Sequence, residues 1–226
     1  MNDLSLKGVA RRYEGITGGF NVINDIFGTS SITGTASLRS RLESMAREEH
    51  SFSKSECIFG WTAAFEQTWT HIRIRIRLNP DADVSAATVN TLMTRWANGI
   101  QTIWTHRWGC GHSGELTCRL SFEAVWVNTN QHHTVRVNTG TKCTDEDGNP
   151  TRCGTNMGRW HTADPGSTAA HEFGHMHGLV DEYTDDDCPD RDPVNTRTVM
   201  DNNSNNVPAR MMTLLADNIG STVVSI

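Results

Sequence analysis

The chain has no apolar run approaching the ~20 residues that cross a bilayer as a helix, which excludes membrane proteins of that kind. It also lacks an excess of positive charge. Its 20 Lys and Arg stand against 26 Asp and Glu, for a formal charge of −6 and an isoelectric point near 5.9. That balance argues against a nucleic acid or an anionic membrane surface as partner. The opening MNDLSLKGVARRYEG has no apolar core of the kind a secretory signal needs, and no internal repeat is visible. What is present is the composition of an ordinary soluble globular protein, with 226 residues for one sizeable domain and a small extension. A monomer is expected.

Six cysteines (57, 110, 118, 143, 153, 188) point to an oxidising destination. Cys143 and Cys153 bracket a turn-rich loop, as do Cys110 and Cys118, and pairing within each loop leaves Cys57 for Cys188. Six free thiols in a reducing compartment are the alternative. A second metal site at Cys110, His112 and Cys118 lacks a clear fourth ligand. With no visible signal, the expected destination is outside the cytoplasm or inside a target cell, reached by a leaderless route or after removal of a signal.

The chemistry is concentrated in His171-Glu172-Phe173-Gly174-His175-Met176-His177-Gly178-Leu179-Val180-Asp181. On a helix, His171 and His175 lie about 40° and one turn apart, so both imidazoles reach one cation from the same face. Glu172 lies beside that face, placed for a water on the metal and not for the metal itself. Asp181 joins the pair only if the helix stops and the chain folds back. Gly178 is the residue that tolerates the left-handed conformation such a break demands.

This eleven-residue pattern resembles the zinc-binding signature of the metzincin metalloproteases, in the variant with aspartate as third ligand found in small bacterial enzymes of the snapalysin type. The resemblance covers roughly residues 167–202, and it implies zinc held by His171, His175 and Asp181 with Glu172 as general base. It also implies a methionine turn beneath the metal, for which Met200, in Thr198-Val199-Met200-Asp201-Asn202, is suitably placed. The implied fold is α+β and metzincin-like: a twisted mixed β-sheet, a long backing helix, an active-site helix and a C-terminal helix. Residues 1–55 read as an N-terminal extension, either loosely packed or serving as a leader, inhibitory or delivery segment, and residues 56–226 as the catalytic domain the resemblance implies.

Elsewhere the patterns fill in the elements. Leu38, Leu42, Met45 and Ala46 recur at helical spacing behind Ser37, after a connector at 28–35. From Trp61 to Leu78 the pattern is strand, with Ile72, Ile74, Ile76 and Leu78 alternating with Arg73, Arg75 and Arg77. That is one buried face and one solvated face whose arginines pair with local carboxylates. Ser85 opens a long helix with Val89, Leu92, Met93, Trp96, Ala97, Ile100, Ile103 and Trp104 on its inner stripe. Residues 118–127 and 132–138 read as strands of a hairpin across 128–131, and 156–161 as a short strand. Ser167 is the expected cap of the motif helix, and Pro208 starts a last helix with Met211, Leu214 and Leu215 inward.

Several neighbours compete for roles at the site. Glu182 is a rival third ligand, though the spacing favours Asp181. Tyr183 is a candidate donor to an oxyanion, or a packed side chain. His177 points away from the metal, either supporting a ligand or exposed, and His132, His133 and His161 are expected on strand surfaces. The acidic run from Asp185 to Asp190 suggests calcium, but it lacks a calcium loop's spacing and reads better as a solvated turn. The resemblance implies hydrolysis of an extended polypeptide paired with a sheet edge, for which 156–161 is the candidate, in a secreted or injected bacterial effector. The alternatives are a zinc amidase acting on peptidoglycan stem peptides, or a protein whose metal is structural and closed by a fourth ligand such as Cys57 or Asp25.

Overall fold

The computed structural model describes residues 47–105, 107–111, 118–140, 143–144, 150–151 and 154–226. Within them run β1 (Arg47–Glu56), β2 (Phe59–Thr68), β3 (His71–Pro80), α1 (Ala86–Trp104), β4 (Trp108–Gly111), β5 (Cys118–Arg119) and β6 (Ser121–Trp126). They are followed by β7 (His133–Asn138), β8 (Cys143–Thr144), β9 (Pro150–Thr151), β10 (Arg159–His161), α2 (Gly166–Met176), α3 (Val199–Asn202), α4 (Thr213–Asn218) and β11 (Thr222–Ser225). The fold is mixed α+β, a twisted mixed sheet with four helices. No helix among the described residues is long and apolar enough to cross a membrane.

The isoleucine–arginine alternation lies at the centre of the large sheet. Ile72, Ile74 and Ile76 are fully buried on one face of β3, because successive strand side chains point to opposite faces. On the other face Arg73 pairs with Glu123 and Glu66, and Arg75 with Glu49 and Glu66. The strand expected over 61–78 is in fact two, β2 and β3, joined at Trp69 and Thr70, with Trp69 at φ 51°.

The sheet order is β1-β2-β3-β7-β10, with β6 also on β3. β1 pairs with β2 over ten residues, so residues 47–55, assigned by sequence to an extension, form an edge strand. Its only large apolar residue is Phe52, and its charges suit an exposed edge while hiding the strand from pattern reading. Residues 1–46, including the helix expected at 37–46 and Asp25, lie outside the described residues.

The expected hairpin over 118–138 is overturned twice. Leu120 divides the first run, so β5 joins β4 and β11 in a three-stranded sheet while β6 joins β3. And β6 and β7 both lie parallel to β3. Val127 N–H donates to Ile76 O and His132 N–H to Arg75 O. Adjacent carbonyls of one strand face opposite edges, so residues 128–131 carry the chain across β3 without reversing it.

The long helix then fixes the motif helix. Ser85 caps α1, its hydroxyl accepting from Thr88 N–H at 3.1 Å. Trp96 Nε1 donates to Asp164 O at 3.1 Å and Trp104 Nε1 to Ala170 O at 2.8 Å. Between them Gly99 lies directly on Gly166, at a crossing with no room for a Cβ on either. α2 therefore starts at Gly166 with Pro165 at its N-cap, and Ser167, the expected cap, is inside the helix. At the C-terminal end, Pro208 precedes a 3-10 turn (Ala209–Met212) before α4. That tighter turn shifts the helical phase, so Met211, Met212 and Leu215 are buried while Leu214, expected inward, is exposed.

Candidate metal centre

His171 and His175 lie one turn apart on α2, and the helix ends immediately after them. Gly178, at φ 102°, donates its N–H to His175 O while Leu179 N–H reaches back to Gly174 O, both at 3.0 Å. This is the paired helix stop that a left-handed residue permits. A Cβ at Gly178 would lie 2.8 Å from Phe52 Cζ. Gly178→Ala is therefore expected to cost about 1–3 kcal/mol, from the positive φ as well as the collision. A thermal or denaturant melt measures that loss.

The break returns Asp181 to the imidazoles. Asp181 Oδ1 lies 3.0 Å from His171 Nε2 and 3.2 Å from His175 Nε2, and the two Nε2 atoms are 3.2 Å apart. His171 Nδ1–H donates to Val199 O and His175 Nδ1–H to Leu179 O, each at 2.9 Å. A carbonyl can only accept, so each ring carries a proton on Nδ1, and in its neutral form each turns the Nε2 lone pair towards Asp181 Oδ1. In that form three acceptor atoms converge on one point, and a cation between them would offset their mutual repulsion. In a tetrahedral site with bonds of ~2.0–2.1 Å, donor atoms are about 3.3 Å apart, so this triangle fits such an ion after slight expansion. His171, His175 and Asp181 form a group that could hold a metal ion.

Glu172, next to His171 on the helix, is buried and lines the same cleft. Its Oε2 accepts no hydrogen bond from the described protein groups. Burial, and then the Asp181 and Asp164 carboxylates, push its pKa up to about 7. Met200 lies fully buried beneath the site, its sulfur against Gly174, and Met200 O accepts from Glu182 N–H.

The rival ligand is excluded by its partners. Glu182 is buried and accepts from Thr196 and Thr198 hydroxyls and from Arg210, which leaves its carboxylate committed to structure. The Tyr183 phenol bonds the Asp181 carboxylate; burial first, and then that negative charge, raise its pKa. Its ring lies 6.4 Å from that of His171, on the cleft wall. His177 is neither exposed nor part of the group formed by His171, His175 and Asp181. It is buried among Trp104, Phe122 and Phe173, donates Nδ1–H to Phe173 O, and is pushed down to about 3 by burial. His133 and His161 are likewise buried, contrary to a strand-surface placement, whereas His132 pairs with Glu49.

Cys57 is bonded to Cys188, which removes it as a fourth ligand and ties the β1–β2 hairpin tip to the loop after Asp181. Cys110 and Cys118 are buried register partners across β4 and β5. The Cys143–Cys153 loop is only partly among the described residues, and His112 is outside them. In the acidic run, Asp185 accepts from Asp187 N–H and lies 3.8 Å from the Arg191 guanidinium, and no second metal-holding group occurs among the described residues.

Around these three side chains opens a cleft of about 340 Å³. One wall is the hairpin, with Glu56, Phe59, Gly60 and Trp61, and the other is Thr155–Gly158, leading into edge strand β10. Sequence reading missed Trp61, whose Nε1 donates to His175 O at 3.0 Å, and Arg191. A tryptophan opening a strand and an arginine within an acidic run were the only local signals of either. The chain matches no family model, no curated protein and no solved structure, so its function has to be argued from this geometry.

Proposed function

We propose that the protein is a zinc-dependent endopeptidase of the metzincin type, cutting extended polypeptide in the cleft above α2. The observation that supports it is the convergence of three potential ligand atoms, His171 Nε2, His175 Nε2 and Asp181 Oδ1, beside a buried glutamate with a free oxygen, all facing one cleft. A purely structural site needs no such base. The chemistry zinc supplies when bound is Lewis acidity towards a carbonyl and acidification of water towards a pKa of ~7.

The residues divide the remaining work. His171 and His175, locked by their Nδ1 hydrogen bonds, hold their lone pairs in place, and Asp181 completes the set with one oxygen. Glu172 takes a proton from the attacking water and delivers it to the leaving amine, a transfer its near-neutral pKa favours in both directions. Trp61 and Leu179 fix the second histidine through backbone and ring contacts. The substrate edge expected over 156–161 is instead a tight turn, in which Asn156 and Arg159 exchange backbone hydrogen bonds, followed by the short strand β10. An extended substrate would pass along the cleft that this turn lines.

Purified protein should digest a denatured polypeptide, lose that activity to a chelator and regain it with zinc. A purified cell wall run in parallel distinguishes a stem-peptide amidase, and zinc-restored activity on neither substrate rejects both. The pH profile follows from Glu172, which must be ionised to act. Burial raises its pKa from 4.5 to about 7 and a bound cation draws it back down, so the acid limb of kcat/KM is expected between those limits.

A further inference from the structure

The third ligand has two carboxylate oxygens, and only one faces the imidazoles. Oδ2 points instead toward Arg191, whose Nη2 is 3.9 Å away. The Arg191 side chain is 1% exposed, so its charge is stripped of water and has to be met by protein. Glu56 Oε2 meets it at 3.0 Å from Nε and 2.9 Å from Nη2, and Tyr183 O accepts from Nη1 at 2.7 Å. The guanidinium also lies 4.9 Å over the Tyr183 ring. Nη2 has no well-directed acceptor and keeps hydrogen-bonding capacity toward Asp181 and Asp185.

We propose that Arg191 is a positioning residue for the metal centre: anchored by Glu56, it holds Asp181 Oδ2 outward and so presents Oδ1 alone to the two histidines. This rests on the metal-centre reading above. Without that charge the carboxylate keeps only the Tyr183 phenol on its outer side and is expected to turn more freely about its bond to Cβ. The guanidinium suits the task because its planar fork bonds Glu56 and the Tyr183 carbonyl and still turns Nη2 towards Asp181 Oδ2 at ion-pair distance, which a single ammonium does not do. Its anchor is also covalently placed. Glu56 adjoins Cys57, whose bond to Cys188 joins the hairpin tip to Arg191's own loop.

The test compares wild type, Arg191→Gln and Arg191→Lys, each prepared metal-free and checked for folding by circular dichroism. Zinc affinity is read by competition with a chelator, and ligand geometry by the visible spectrum of the cobalt-loaded protein. Both variants are expected to bind zinc roughly 10–100-fold more weakly, as loss of a residue that orients a ligand does elsewhere. Their cobalt bands should also differ from wild type. If Arg191→Gln does not fold, Arg191→Lys, which keeps the charge and loses the fork, decides alone. Wild-type affinity with an unchanged cobalt spectrum in a folded variant overturns the proposal and leaves Arg191 as a brace between hairpin and loop. Failure of the wild type itself to bind zinc is a separate result, and it rejects the metal centre on which the proposal stands.

Discussion

Glu172→Gln is expected to lower peptide hydrolysis by about 10²–10⁴-fold, the range for a lost general base, while making the metal-free protein more stable at alkaline pH. The two effects share one cause. Burial holds the Glu172 pKa at about 7 in the folded protein against 4.5 when unfolded. Between those values the folded state keeps a proton the unfolded state has released, so metal-free stability falls as pH rises through this window. Above pH 7 the full cost of a buried charge is present, on the order of 3 kcal/mol. Glutamine keeps the shape and removes the charge. Melts of the two metal-free proteins should therefore coincide below pH 4.5 and separate above 7, with the variant higher. Zinc should narrow the gap, because a cation stabilises the wild-type carboxylate and not the amide. Full hydrolytic activity in Glu172→Gln would sink the mechanism.

Asp181→Ala and Glu182→Gln are expected to separate two adjacent carboxylates cleanly. Desolvation raises the Asp181 pKa, but in the metal-free protein hydrogen bonds and charge from His171 and His175 outweigh it and hold the carboxylate ionised. Removing it takes away one of three ligands, so zinc affinity should fall by more than the ~10–100-fold seen when only a supporting group is lost. Glu182 lies one residue on and turns the other way, accepting from Thr196, Thr198 and Arg210. Its amide variant should lose about 1–3 kcal/mol of stability from disturbed buried hydrogen bonds and keep zinc affinity per folded molecule. Chelator competition together with denaturant melts on both variants checks the pair. A loss of zinc in Glu182→Gln as large as in Asp181→Ala would exchange their roles.

What could be read from the chain alone was what local periodicity encodes. The i, i+4 histidines, the glutamate between them and the glycine stop all lie within eight residues, and the structure closes them on Asp181 as helical geometry requires. The isoleucine–arginine strand and the Ser85-capped helix were legible for the same reason. β1 was not, because an edge strand of Arg, Glu, Ser and Lys leaves no apolar alternation to find. The step of residues 128–131 across β3 was hidden too, since a polar turn sequence does not reveal whether the next strand reverses direction. Ser167 failed as a cap because the packing of Gly166 on Gly99 sets the start of the helix. Arg191 and Glu56 are 135 residues apart, and only the folded sheet brings the hairpin tip against the ligand loop.

The most direct measurement is a crystal structure grown with zinc, with the metal located by its anomalous signal. The account predicts one strong peak at about 2.0–2.2 Å from His171 Nε2, His175 Nε2 and Asp181 Oδ1, with the remaining position facing the cleft beside Glu172. A peak bound elsewhere, or Asp181 turned away from the two imidazoles, contradicts it.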